Sequence, residues 1–195
     1  MAENVGSLSF MPQRSAPYHA PMTYPFRSRF LGFFTLAILI VTAVAGQSAS
    51  APSARDAFRK IQSLAGQWEG KDEQGSPVKS KFLPVVSDTA IMETLSMSGM
   101  EEMVTLYSLD VDSIVLTHYC PTNNQPRMRA VPTVDTKQLE FAFTGAGNLP
   151  DINVGHEHKL VLQFIDEDHI TERWTWRKNG KDTEMVFRLA RVGLR

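Results

Sequence analysis

From residue 66 to residue 191, apolar and polar side chains alternate in short runs, and nearly every run is closed by a turn signal. That is the signature of consecutive β-strands with one buried face. The pattern predicts ten strands, over 67–71, 78–85, 90–97, 100–109, 113–119, 127–134, 138–144, 156–165, 169–178 and 183–191. The joints carry turn chemistry at Gln74-Gly75-Ser76, Ser98-Gly99, Asp110-Val111-Asp112, Asp135-Thr136, Asp166-Glu167-Asp168 and Asn179-Gly180. Asn179-Gly180 is the strongest hairpin signal, because both central residues of a type I′ turn need positive φ. Just upstream, Ala57, Phe58, Ile61 and Leu64 fall on one face of a short helix over 56–64 that Gly66 ends.

Joints this short force sequential strands to pair antiparallel, which gives an up-and-down meander. About ten strands avoid exposed edges by closing on themselves, and such barrels commonly enclose a ligand cavity. The expected fold is therefore all-β, an antiparallel barrel with a short N-terminal helix. Two connections are longer, 120–126 and 145–155, and both suit rim loops, the second a candidate lid.

A different pattern precedes the strands. Phe30 to Ala45 is an apolar run of 16 residues behind Arg27 and Arg29, and it ends in Ala43-Val44-Ala45. A basic flank, an apolar stretch and a small-x-small triplet describe a secretory signal cut before Gly46. The rival is a retained membrane anchor, although about 20 apolar residues are wanted for a helical span. The expected organisation is 1–45 N-terminal extension and signal peptide, 46–55 a Ser/Ala/Pro linker, and 56–195 the barrel domain, with a secreted or periplasmic location.

Charge narrows the classes of partner. Beyond residue 45 there remain 17 basic and 20 acidic side chains with no basic block, so the footprint of a nucleic-acid binder is missing. After signal removal no membrane partner is expected either. Cys120 is the single cysteine, so no internal disulfide can form and stability must come from core burial.

A short helix, Leu64-x-Gly66-x-Trp68-x-Gly70 on the first strand and a meander to the C-terminus together resemble the calycin superfamily of lipocalin-like barrels. The nearest likeness is to bacterial exported proteins of unknown function with lipocalin-like domains. Further similar segments are Thr117-His118-Tyr119-Cys120, Asn124-Gln125-Pro126-Arg127-Met128 and Glu172-x-Trp174-x-Trp176. The chain departs from typical lipocalins in having no disulfide pair. In outline it also resembles the ten-stranded haem-binding nitrobindin barrels, without a histidine that aligns with their metal ligand. The resemblance implies a container and leaves the activity open, because the fold hosts carriers, inhibitors and some enzymes.

Strand alternation then nominates the interior. In the eighth strand it puts His156, His158, Leu160, Leu162 and Phe164 on one face, and in the fifth Ile114, Leu116 and His118. Three imidazoles could then converge as an open zinc site or offer a ligand to haem iron, although the cofactor expectation is none. In the ninth strand Ile170, Glu172, Trp174 and Trp176 share the inward face, so Glu172 needs a partner, for which Arg127, Arg129 and Arg188 are candidates; Glu93 poses the same question. Trp68 and Phe58 are expected to close the barrel floor.

The sequence thus points to an exported barrel that binds a small, largely apolar ligand. Leu116, Phe141, Leu160, Leu162 and Trp174 would supply the wall, and His118, Arg127, His156, His158 and Glu172 the orienting polar groups. The alternatives are a barrel enzyme with Glu172 or His158 as general base, and a structural envelope module whose interior is filled by its own side chains.

Overall fold

The computed structural model describes residues 51–193. The apolar run and the cleavage triplet lie outside the described residues. One helix, α1 (Ala54–Gln62), precedes ten strands: β1 (Gly66–Lys71), β2 (Pro77–Val85), β3 (Ala90–Met97), β4 (Met103–Asp110), β5 (Ser113–Tyr119), β6 (Gln125–Ala130), β7 (Gln138–Gly147), β8 (His156–Phe164), β9 (His169–Lys178) and β10 (Lys181–Arg191). Each strand pairs antiparallel with its neighbour in sequence, and β1 closes on β10, so the sheet has no free edge.

Helix α1 starts where Ser53 caps it, its side chain accepting from the Asp56 backbone N–H at 3.1 Å. Its buried face is Ala54, Ala57, Phe58 and Ile61. This face covers one end of the barrel, where Gln62 Nε2 donates to the Asp88 carbonyl in the β2–β3 turn at 2.9 Å and Lys60 reaches the Thr136 carbonyl in the β6–β7 connection. Trp68 is fully buried at the same end, donating from Nε1 to the Leu64 carbonyl at 2.8 Å. The Arg191 guanidinium lies over its indole at 4.3 Å from the ring centroid. Helix and tryptophan together form the closed floor.

The meander and the Asn179-Gly180 hairpin are as the pattern predicts: Lys178 pairs with Lys181, and both turn residues have positive φ, 52° and 70°. Several strand limits differ. Strand β4 starts at Met103 instead of residue 100, and β10 starts two residues earlier than expected, at Lys181. Strand β6 spans Gln125–Ala130 instead of 127–134, because Pro132 has no N–H to continue the ladder; Val131 and Val134 beyond it are exposed. Strand β7 runs on to Gly147, past Thr144, which is skipped in the pairing of Arg127 with Gly145 and Met128 with Phe143.

Strand direction divides the interior into two layers. Near the floor it is filled by side chains including Phe82, Tyr107, Phe141, Leu160 and Leu162. Toward the opposite end, where the β3–β4, β5–β6, β7–β8 and β9–β10 connections gather, the packing opens.

Candidate functional site

The open layer is a cavity of about 320 Å³. Its wall is predominantly apolar, with Leu95, Met97 and Met103 on one side and Trp174, Met185 and Phe187 on the other. Met100 and the 120–122 segment stand at the mouth. Thioether side chains supply much of this surface, and their flexibility lets a wall adapt to the shape of what it holds.

Two buried polar side chains interrupt the largely apolar lining. His118 is 2% exposed; its Nδ1 is bonded to the Thr105 hydroxyl at 2.9 Å, and its Nε2 is buried without a hydrogen-bond partner. Burial holds the imidazole neutral, with its pKa down to about 4. The ring lies tilted against the Trp174 indole, centroids 4.7 Å apart. Glu157 is 6% exposed, and its Oε2 is likewise buried without a partner. Burial alone pushes its carboxyl up to about 7. Buried polar atoms are usually satisfied, so two orphans on one cavity wall mark a place where a guest would complete the bonding.

The alternation of β8 did not nominate Glu157. A bulge explains why: Glu157 is opposite Trp176, Leu160 is opposite Trp174, and the register shifts between Glu157 and Lys159. One extra residue in β8 reverses the facing of everything before it. Glu157 therefore turns toward the cavity and His156 and His158 turn from it, contrary to the expectation from strict alternation. The two histidines form a separate cluster with Phe143, whose ring centroid is 4.8 Å from His156 and 5.1 Å from His158.

Their bonding is complete without a guest. The Val154 carbonyl can only accept, so His156 Nδ1–H donates to it at 2.7 Å, which leaves His156 Nε2 to accept from His158 Nδ1–H at 3.2 Å. His158 Nε2 then accepts from Arg177 Nη1 at 2.6 Å. Burial first, then the charge of Arg177 and the neighbouring His156, lowers the His158 pKa. Both imidazoles are thus consumed in a relay of hydrogen bonds from Arg177 to the chain.

The remaining nominated residues divide in the same way. Trp174 lines the cavity and is 2% exposed. Arg127 is exposed, because Pro126, Met128 and Ala130 take the inner face of β6. Leu116, Phe141, Leu160 and Leu162 are buried but pack the filled layer instead of the cavity wall. Glu172 is fully buried beneath Trp174 and meets none of the three arginines proposed for it. Its neighbour is Glu93, and burial, then that second carboxyl, raises its pKa well above the ordinary value. Ser80 and Tyr107 donate to the two Glu93 oxygens at 2.8 and 2.7 Å, and Trp174 Nε1 donates to Glu172 Oε2 at 3.0 Å. A buried acid pair of this kind keeps one proton at neutral pH.

His118 is the nominated imidazole that lines the cavity. It does not meet His156 and His158, so the three-histidine zinc arrangement is not assembled. Among the described residues, no group of three or more His, Cys, Asp or Glu side chains is placed to hold a metal ion. Cys120 is a free thiol at the mouth, 2.9 Å from the Thr122 hydroxyl. Amides lace the loops around it: Asn124 Nδ2 donates to the Gly155 carbonyl at 2.9 Å and Asn148 Nδ2 to the Asn123 carbonyl at 2.6 Å.

No family model matches the chain, and no curated protein matches it. Among solved structures it is similar to Rv2717c from M. tuberculosis, with a TM-score of 0.53 and 14% identity, covering 70% of this chain and 98% of that one. It also aligns with a protein of unknown function from the DUF3598 family of Nostoc punctiforme, with a TM-score of 0.48 and 12% identity, over 76% of this chain and 53% of that one. At such identity the first similarity speaks for the fold, a lipocalin-like barrel.

Proposed function

We propose that this protein is an exported carrier of the calycin type, which holds a small, largely apolar ligand in the open layer of its barrel. The observation that carries the reading is that two residues lining a largely apolar cavity, His118 and Glu157, each hold a buried polar atom without a partner, Nε2 and Oε2. A cavity of about 320 Å³ falls at the lower end of the range of small-molecule sites, which are concave, mainly apolar and carry a few orienting polar groups. The filled layer beneath gives the ligand a rigid platform, and the methionine-rich wall lets it seat without a strict outline. His118, Glu157 and Trp174 are the contacts assigned to the ligand; His156, His158 and Glu172 are bonded within the barrel around them, and Arg127 is exposed on its outside.

Native mass spectrometry of the protein purified from the cells that make it tests this reading. A co-purifying small molecule, released on unfolding and lost in a Leu95→Trp variant that fills the cavity, is the expected result. An empty barrel that also fails to take up any apolar probe overturns it.

A further inference from the structure

The chemistry of the cavity wall restricts the head group of its guest. Glu157 is the one side chain of fixed charge type on that wall; Lys, Arg and Asp do not occur among the described lining residues. The other titratable groups there are His118, held neutral by burial, and Cys120 at the mouth. Behind β8, His156, His158 and Arg177 are engaged with one another and with Asp182, whose carboxylate oxygens accept from Arg177 at 2.6 and 2.7 Å. Among the described residues, no cationic side chain is therefore placed to neutralise a Glu157 carboxylate. A fatty acid or other anion entering this space would bring a second negative charge next to the first, at a burial where repulsion is strong.

We infer that the ligand is an apolar primary amine, bound as the ammonium ion, with its cationic head between Glu157 and the faces of Trp174 and Trp176. This deepens the carrier reading and rests on it. An ammonium has three donors and no acceptor, so it can satisfy Glu157 Oε2 and, with His118 in the tautomer that leaves Nε2 bare, His118 as well. Trp174 and Trp176 both line the cavity, and indole is the ring that attracts a desolvated cation most strongly. The long apolar wall of Met97, Met103, Met185 and Phe187 is left for the hydrocarbon part.

The test compares three probes of one chain length, octylamine, octanol and octanoate, by titration calorimetry on the purified protein. Octylamine is expected to bind about tenfold or more tightly than octanol, the advantage of a charge-assisted hydrogen bond, with octanoate weaker than both. Glu157→Gln is expected to erase the amine's advantage over octanol. Because the bound ammonium requires an ionised Glu157, whose carboxyl titrates near 7 in the free protein, octylamine affinity should rise from pH 6 to pH 8 with proton release, whereas octanol affinity should not. The pH series needs no variant to fold. Octanol or octanoate binding as well as octylamine overturns the amine assignment and leaves the carrier reading standing. Failure of all three to bind overturns both.

Discussion

Trp174 Nε1 donates to Glu172 Oε2 at 3.0 Å, so the indole that forms part of the cavity wall is anchored to the buried acid pair beneath it. The ring cannot swing away without leaving a buried carboxyl oxygen unpaired. Trp174→Phe removes that donor and the outer part of the ring, and is expected to destabilise the protein by about 2 to 4 kcal/mol. Urea denaturation checks the magnitude. A cycle with Glu172→Gln should show the two changes to be non-additive, as expected of direct partners; additive losses would mean that the bond does not anchor the ring.

Stability should depend on pH through two opposed groups. Glu157 has its pKa raised from 4.5 to about 7, so its contribution is full below pH 4.5 and is lost as pH rises through 7, about 3 kcal/mol in all. His118 has its pKa lowered from 6.5 to about 4, so its contribution is full above pH 6.5 and is lost, by a similar amount, as pH falls through 4. Between pH 4.5 and 6.5 the two slopes cancel. Relative to the unchanged protein, the stability of Glu157→Gln should therefore shift toward rising with pH across that window, and that of His118→Phe toward falling. Equilibrium unfolding at several pH values reads both, and a Glu157→Gln profile parallel to that of the unchanged protein would contradict the assignment.

Architecture was legible because it is written in quantities that local sequence sets directly: the spacing of turn residues, the length of joints and the period of the apolar positions. The ten strands, the floor at Trp68 and the inward Trp174 all follow from these. The site was only half legible, because inward facing was inferred by counting from Leu160 in steps of two. A single unpaired residue at the β8 bulge breaks that count and exchanges Glu157 for His156 and His158. Nothing in Gly155-His156-Glu157-His158-Lys159 announces a bulge to a reader of residues alone. Glu172 failed for a different reason. A lone buried carboxylate calls for an arginine, whereas the buried neighbour of Glu172 is a second acid, Glu93.

Gly70 is required by close approach and not by its own dihedral angles. A Cβ built there falls 1.8 Å from the Arg188 carbonyl oxygen on β10. That contact lies in the β1–β10 ladder, where the barrel closes. Gly70→Ala must push two backbones apart, and a loss of about 4 kcal/mol or failure to fold is expected, at the extreme of single substitutions. Gly75→Ala, in the open β1–β2 turn with nothing within 4 Å but a φ of 85°, should cost only about 1 kcal/mol. Thermal melts of the pair distinguish a clash at the seam from ordinary backbone strain, and equal losses would refute the distinction.

Arg191 ties the floor together from the last strand. Its guanidinium stacks on Trp68 at 4.3 Å from the centroid and donates to the Ser63 and Ala65 carbonyls, each at 3.0 Å, as well as to the loop carrying Glu167. The planar fork is what lets one side chain cover a ring and reach two carbonyls at once. Lysine has the charge but not the fork, so Arg191→Lys should lose most of what Arg191→Ala loses, about 2 to 3 kcal/mol. Because the floor is remote from the cavity mouth, binding of an apolar probe by the fraction still folded should be unchanged in both variants. Fluorescence-detected unfolding and probe titration on the same samples separate the two effects; a lysine variant as stable as the parent would show that charge alone, and not the stacked fork, holds the floor to β10.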